Sequence, residues 1–365
     1  FVASGVSIKR VSRTLATRNA NEVAISSPDG SEVYFFSIAG DSVGRHLRTR
    51  DALTGAIRYR FGYDVQGRLL SVRDQSGLST TIQRNGSGVP QSIIGPFNQT
   101  TQIALDGYGH LSALTDPHSR VMAFTTDPDG LLRTFTDAAN HTHEFTYDDD
   151  GRLERDKEPA AAGGDQFLDA DINGIHRAVT RTSALLRETR YEVFDRGDGT
   201  RQRLVTDSRG LLSYESDSTD ARVHGWSPEG VASVDSAGPD ARFGMISPVP
   251  RRSTTTLPST KRRLVDVVRT MADGFDPPFV NGLWQQDVSV NSRTPFHTEF
   301  HSEPDSLVLR TESPLKRTTK TVVDSAGRPR EIAIPGFATA YHAYDDRGRL
   351  IHTLQGSRAW TYHYD

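Results

Sequence analysis

The 365-residue sequence contains no cysteine, which removes disulfide staples, thiol nucleophiles and cysteine-ligated zinc together. Long apolar runs are also missing. The best stretches, Leu264-Val265 and Val267-Val268 around Asp266, fall far short of the roughly 20 apolar residues that a membrane helix needs. Only 35% of residues are in the AVILMFWYC set and 8% are aromatic, lean for a chain of this length built around one thick core. No excess of one charge is present either, since 43 basic and 46 acidic side chains leave a formal charge of -3, so nothing points to nucleic acid as a partner. The cluster Lys261-Arg262-Arg263 reads as a solvated strand or loop. The opening Phe1-Val2-Ala3-Ser4 lacks the charged start and apolar stretch of a secretory signal. Phosphate-cradling loops, dinucleotide fingerprints and Gly-x-Ser-x-Gly elbows are not found, and no cofactor is implied.

What the chain does contain is 31 glycines, 18 prolines and a repeat of 21 residues. From Tyr63-Asp64-Val65-Gln66-Gly67-Arg68-Leu69, steps of 21 land on Arg84, Leu105, Thr126 and Tyr147 without a gap. The following position holds Asp64, Asn85, Asp106, Asp127 and Asp148, and three residues later comes Gly67, Gly88, Gly109, Gly130 or Gly151. Asp or Asn at the first position and Gly at the fourth is the pattern of a type I turn. The acidic or amide side chain accepts from the backbone ahead of it, and Gly takes the positive φ that returns the chain to a strand, often through a bulge.

A second reversal lies half a period on, at Asp74-Gln75-Ser76-Gly77, Gly95-Pro96-Phe97-Asn98, Asp116-Pro117-His118-Ser119 and Asp137-Ala138-Ala139-Asn140. Each repeat is therefore one hairpin, with strands of roughly six to eight residues. Phe61, Ile82, Ile103, Phe124 and Phe145 recur two residues before the Tyr position, and Val72, Ile93, Leu114 and Phe135 recur between the turns. Tyr63 and Tyr147 share a strand face with Phe61 and Phe145 by period-two alternation.

The phase loosens after about residue 155 and returns at Thr206-Asp207-Ser208-Arg209-Gly210, Trp226-Ser227-Pro228-Glu229-Gly230, Val323-Asp324-Ser325-Ala326-Gly327-Arg328 and Tyr344-Asp345-Asp346-Arg347-Gly348-Arg349. Between them, residues 253–257 and 317–323 are rich in Thr and Val, a strand composition. Leu264 to Met271 fits a short helix or a strand, and no long amphipathic helix is present. Before residue 60, Ser27-Pro28-Asp29-Gly30 followed by Val33-Tyr34-Phe35-Phe36, and Asp51 to Gly55 before Tyr59, predict irregular leading hairpins. The expected organisation is one continuous repeat domain: leading hairpins at 1–60, regular repeats at 61–157, degenerate repeats with insertions at 158–320 and regular repeats at 321–365. The final Tyr364-Asp365 opens another repeat, as expected of a fragment of something longer.

Tyr-Asp-x-x-Gly-Arg-Leu at Tyr63, Tyr147 and Tyr344, with Asp148, Gly151 and Arg152 in the second copy, resembles the YD repeat of Rhs proteins, bacterial wall-associated proteins, C subunits of insecticidal toxin complexes and teneurins. The segment Asp240-Ala241-Arg242-Phe243-Gly244-Met245 with Pro248 and Pro250 also resembles parts of large bacterial YD-repeat proteins. The resemblance implies an all-β fold, a spiralling antiparallel sheet of hairpins forming a complete or partial hollow shell, a β-cocoon. In bacterial relatives such a shell encloses a toxic C-terminal domain and ends in a core segment whose aspartates cut the cargo free. No such segment follows Tyr364 here, and about seventeen periods of 21 residues would make only part of a full shell.

Other constellations have bland readings. Asp127-Pro128-Asp129-Gly130 resembles the aspartate motif of the self-cleaving core, but it is in phase with the repeat, so Asp127 and Gly130 read as turn positions. Asp169, Asp171 and Asn173 before Gly174 match the first half of a calcium loop, yet the twelfth position is Thr180 rather than a bidentate carboxylate. A solvated loop after the Ala160 to Gly164 stretch is the favoured account. His141 and His143 could begin a zinc site, and no third ligand is identifiable.

The expected function is a non-enzymatic shell segment of a bacterial secreted or cell-surface protein. Its partners would be adjacent YD-repeat segments and an enclosed C-terminal cargo or toxin domain. One rival is an adhesion or glycan-binding module that uses Trp226, Trp284, Trp360 and outward Tyr and Arg side chains against glycans or cell-surface proteins. The other is a polysaccharide-acting enzyme built on the same scaffold, which paired carboxylates drawn from 46 acids would allow.

Overall fold

Asp, Asn and Gly recurring about every ten residues, with β-branched and aromatic residues between them, give strands too short for anything but a hairpin ladder. The structure, a computed structural model, describes residues 2–4, 7–9, 21–159, 164–271, 283–303 and 306–364. Asp365 and residues 160–163 of the Ala160 to Gly164 stretch lie outside the described residues. Among the described residues the one helical element is the 3-10 turn Gly40–Ser42, and the regular structure is otherwise strand. Leu264 to Met271 belongs to the strand Arg262–Met271, as its three β-branched valines favour. Among the described residues no helix is long and apolar enough to cross a membrane.

The chain forms two compact units, one of residues 1–79, 235–256 and 260–365, the other of residues 80–234 and 257–259. In the second unit, strands from Pro90–Ile94 to Arg222–Trp226 pair antiparallel, each with its neighbour in sequence. The period is visible directly: Thr100–Leu105 has 6 residues, Leu111–Thr115 has 5, and a five-residue connection follows each. The six-residue strands meet the expected length and their five-residue partners fall one short of it, because each reversal uses the turn and its left-handed exit. Longer strands come where the phase loosens, with 8 residues in each of Gln166–Asn173, His176–Ser183 and Glu188–Asp195.

The recurring apolar positions prove to be cross-strand partners. Phe61 faces Val72, Ile82 faces Ile93, Ile103 faces Leu114 and Phe124 faces Phe135. Such pairs are the stabilising unit of a sheet, each contributing roughly 0.2–1 kcal/mol. Phe124 and Phe135 stack at 5.4 Å, and His143 continues the row 5.9 Å beyond Phe135. Most residues in this unit are half-buried, as befits a single layer of sheet.

The first unit adds two packed cores. Ala24, Val33, Phe35, Ala52 and Phe243 form one, and Trp284 with Phe300 forms the other, against Leu53, Met271, Leu307 and Leu309. The leading hairpins pair Glu22–Ser26 with Glu32–Ser37, then His46–Asp51, Ile57–Tyr63 and Leu69–Asp74 in turn. The last seven strands of the chain, Phe296–Glu303 to Arg358–Thr361, form a second such meander within the unit.

The left-handed exit residue is Gly at the Tyr-Asp turns and at Gly77, whereas at three other half-period turns it is Asn98, Ser119 or Asn140, at φ of 62°, 65° and 64°. A β-carbon is costly there, more for Ser than for Asn. Replacing Ser119 by Gly is therefore expected to stabilise the protein by about 0.5–1 kcal/mol and Gly130→Ala to destabilise it by about 1 kcal/mol, read from urea-denaturation midpoints.

Candidate functional site: interlocked turns and a buried clamp

The residues read as repeat markers converge on one local structure. At Asp64, Asp106, Asp127, Asp148, Asp207, Asp324 and Asp345 the backbone carbonyl accepts the N–H of Gly67, Gly109, Gly130, Gly151, Gly210, Gly327 or Gly348 at 2.8–3.1 Å. These glycines all sit at φ between 75° and 89°. Each carboxylate then accepts two further N–H groups through Oδ1, from the residues two and four positions on, as from Gln66 and Arg68 at Asp64. The Arg68 N–H is the main reason the Asp64 carboxyl lies below its ordinary value, with the Arg68 guanidinium and the Gln66 N–H adding to it.

The second carboxylate oxygen takes a guanidinium. Arg68 reaches Asp64, Arg133 reaches Asp127, Arg152 reaches Asp148, Arg328 reaches Asp324 and Arg349 reaches Asp345, at 2.7–3.3 Å. This arginine, fixed by its own turn, becomes the platform for the next repeat. Arg328 lies 4.8 Å from the Tyr344 ring centre, Arg349 4.6 Å from Tyr364 and Arg133 5.4 Å from Tyr147. Each tyrosine hydroxyl then donates to a carbonyl just past the preceding glycine: Tyr344 to Pro329 at 2.8 Å, Tyr364 to Leu350 at 2.7 Å and Tyr147 to Leu132 at 2.9 Å. Tyr63 does the same to His46 at 2.9 Å, with Arg45 over its ring.

The Tyr of the motif thus belongs to two repeats. Where Thr126 replaces it, the hydroxyl reaches the preceding Asp106 carboxylate at 3.1 Å and His110 at 3.0 Å, a shorter form of the same link. Gly67 serves it too, since a β-carbon there would come within 2.6 Å of Arg45. Sequence reasoning assigned Tyr only a strand face. The separation of 14 to 17 residues between hydroxyl and acceptor spans a strand, a turn and another strand, which alternation alone does not connect.

A second arrangement lies off the period. Asp240 and Arg242 are 3% and 5% exposed. Arg242 donates to Asp240 and to the backbone carbonyls of Ala52, at 2.6 Å, and Gly30, at 3.4 Å, while Arg269 reaches the other Asp240 oxygen at 3.0 Å. Burial raises the Asp240 carboxyl, but Arg242, its N–H and Arg269 outweigh it and hold the group below its ordinary value. Phe243 is 1% exposed and fills the space between Ala24, Val33, Phe35 and Ala52. Ser247 Oγ sits 2.6 Å from both Ser26 Oγ and the Ser27 carbonyl. These contacts clamp residues 240–247 onto the leading hairpins about two hundred positions earlier in the same unit. An out-of-phase Asp-Ala-Arg-Phe, matched by Ala and Ser on the leading strands, is the sequence signal that could have exposed it.

Several expectations change. Asp169, Asp171 and Asn173 lie in the strand Gln166–Asn173, paired along its length with His176–Ser183, not in a loop. Their alternation is that of an extended strand, about 6.6 Å between like-facing residues, whereas a calcium loop must curl around its ion. Asn173-Gly174 marks a tight hairpin, with Gly174 at φ 55°, the first central position of a two-residue turn. His141 and His143 face different acids, Asp137 at 3.1 Å and Asp156 at 3.6 Å. Trp226 and Trp360 are 43% and 41% exposed, but Trp284 is only 8% exposed, because it packs on Phe300 in a core, so it is closed to a glycan. Asp127 is occupied by Asp129 and Leu131 N–H and by Arg133, as a turn residue is.

With this geometry in view, residues 20–365 match the teneurin YD-shell family. The chain belongs to that family. Teneurin-1 of Gallus gallus and of Homo sapiens are each 33% identical to this YD shell over 95 residues, covering 26% of the chain and 3% of those proteins. The chain thus spans a small fraction of the curated relatives it matches. Among solved structures, the TcdB2-TccC3-Cdc42 complex is similar at a TM-score of 0.34 and 12% identity, over 86% of this chain and 18% of that one. The Photorhabdus luminescens Tc holotoxin pore is similar at a TM-score of 0.41 and 12% identity, over 88% and 21%.

Removing one member of the clamp leaves buried charge unpaired. Asp240→Asn is expected to cost about 3–5 kcal/mol, measured by urea denaturation.

Proposed function

We propose that this YD shell is a non-enzymatic wall segment of a secreted or cell-surface protein, of the bacterial toxin type, which encloses or scaffolds a polypeptide cargo alongside adjacent repeats. The observation that carries the reading is the tyrosine link between consecutive turns. A hairpin alone is marginal in water, and one seated on its predecessor by a hydrogen bond, a cation–ring contact and a ladder of strand bonds is held by its neighbours. Such a chain suits a barrier, because stiffness extends with every repeat added.

The acids support the same reading. Carboxylates that could have served as paired catalytic groups are engaged with backbone N–H and guanidinium groups at the turns. Their chemistry is used to reverse the chain. Family membership adds the shell fold, and cargo, compartment and source organism are parts of the proposal.

The test uses the whole polypeptide that contains this chain. Segments flanking it are expected to resist added trypsin about tenfold longer in the native protein than as free polypeptides, and to lose that protection when the shell is denatured. Equal digestion rates in both settings would overturn enclosure.

A further inference from the structure

Three arginines stand side by side on adjacent strands of the first unit. Arg48 of His46–Asp51 faces Arg60 of Ile57–Tyr63, and Arg60 faces Arg73 of Leu69–Asp74. Like charges directly opposite one another in a sheet are destabilising, so a row of three needs a compensating anion. One end already has it. Arg48 forms a two-pronged pair with Glu22, at 2.9 and 2.6 Å, and lies 4.3 Å from the Phe35 ring centre.

Arg60 and Arg73 have no such partner among the described residues. Both are exposed, and Arg73 donates only to the Gly77 carbonyl at 3.1 Å. With Arg50 they line an open cleft of about 520 Å³ to which Ser325 and Ala326 also contribute, a volume in the range of ligand sites. Asp74 also lines it, but its Oδ1 already accepts the Ser76 and Leu78 N–H groups. Burial, with Arg48 and Arg60 nearby, pushes Arg50 below its ordinary value, as expected where positive charge is crowded.

We infer that the Arg60–Arg73 cleft is a binding site for carboxylates of an acidic polypeptide segment, seated as Glu22 is seated on Arg48. The choice of carboxylate follows this chain's own usage. Planar, two-pronged pairing matches guanidinium to carboxylate, and neighbouring strands about 4.8 Å apart bring adjacent arginines within reach of Asp or Glu side chains on one extended peptide. The inference goes beyond enclosure and does not need it, since an acidic segment would bind this face whether or not it is enclosed.

Fluorescence anisotropy with a short labelled peptide of alternating Glu and Gly tests it on the whole chain at low salt. Binding is expected to weaken steeply with added salt and to fall at least about tenfold in an R60Q/R73Q variant. R222Q/R252Q, which removes equal charge elsewhere, should leave it unchanged. Without peptide, R60Q/R73Q should denature at the same or a higher urea concentration, because a repulsion is relieved. No binding, equal loss in both variants, or a lower urea midpoint for R60Q/R73Q would overturn the site. Tighter binding of inorganic phosphate or a sulfated oligosaccharide through the same two arginines would overturn the carboxylate assignment.

Discussion

One side chain shared between two turns organises the repeat. The Tyr344 hydroxyl donates to the Pro329 carbonyl while its ring lies against Arg328, and Arg328 is held by Asp324 of the same earlier turn. Tyr, Asp, Gly and Arg recur together because each is needed by another: Asp closes the turn and orients Arg, Arg supports the next Tyr, and Gly permits the positive φ. Each link is modest. A net hydrogen bond contributes about 1 kcal/mol and an exposed cation–ring contact about 0.5–1 kcal/mol, so stiffness comes from repetition down the chain.

The clamp at Asp240 to Ser247 works on a different principle. Repeats join neighbours in sequence, whereas Arg242 joins residues separated by 190 positions or more. Long-range closure of this kind must overcome the entropy of a long loop, and here Phe243 in its apolar core and a buried ion pair oppose that cost. The two devices divide the labour, one propagating order locally and the other fixing where the ladder meets its leading hairpins. The arginine row at Arg48, Arg60 and Arg73 stands apart from both. Within it Arg48 is paired with Glu22 while Arg60 and Arg73 beside it are not, the kind of local departure from stability that accompanies function.

Much of this fold was legible from spacing. The offset of eleven residues between Phe61 and Val72, or Phe124 and Phe135, already encodes the cross-strand register, and the Asp-to-Gly interval encodes the turn. What spacing does not carry is the contact between one turn and the next, because Tyr344 and Pro329 sit on different strands and alternation says only which face each occupies. Asp169 and Asp171 read as part of a solvated loop for a related reason: acids at alternate positions suit both a loop and a solvent-facing strand, and the strand pairing decided for the strand. Trp284 shows the same limit, since an aromatic residue in a polar neighbourhood, Gln285-Gln286-Asp287, looks exposed until Phe300 is brought across from the next strand.

A double-mutant cycle between Tyr344 and Arg328 tests the shared-side-chain account most directly. Stability of the whole chain would be measured for Y344L, R328Q and the pair. If the two groups act as one link, their effects fall short of additive by about 0.5 kcal/mol or more, while a Tyr344–Arg152 cycle, across unrelated turns, is additive. Additivity in the Tyr344–Arg328 cycle would contradict the account.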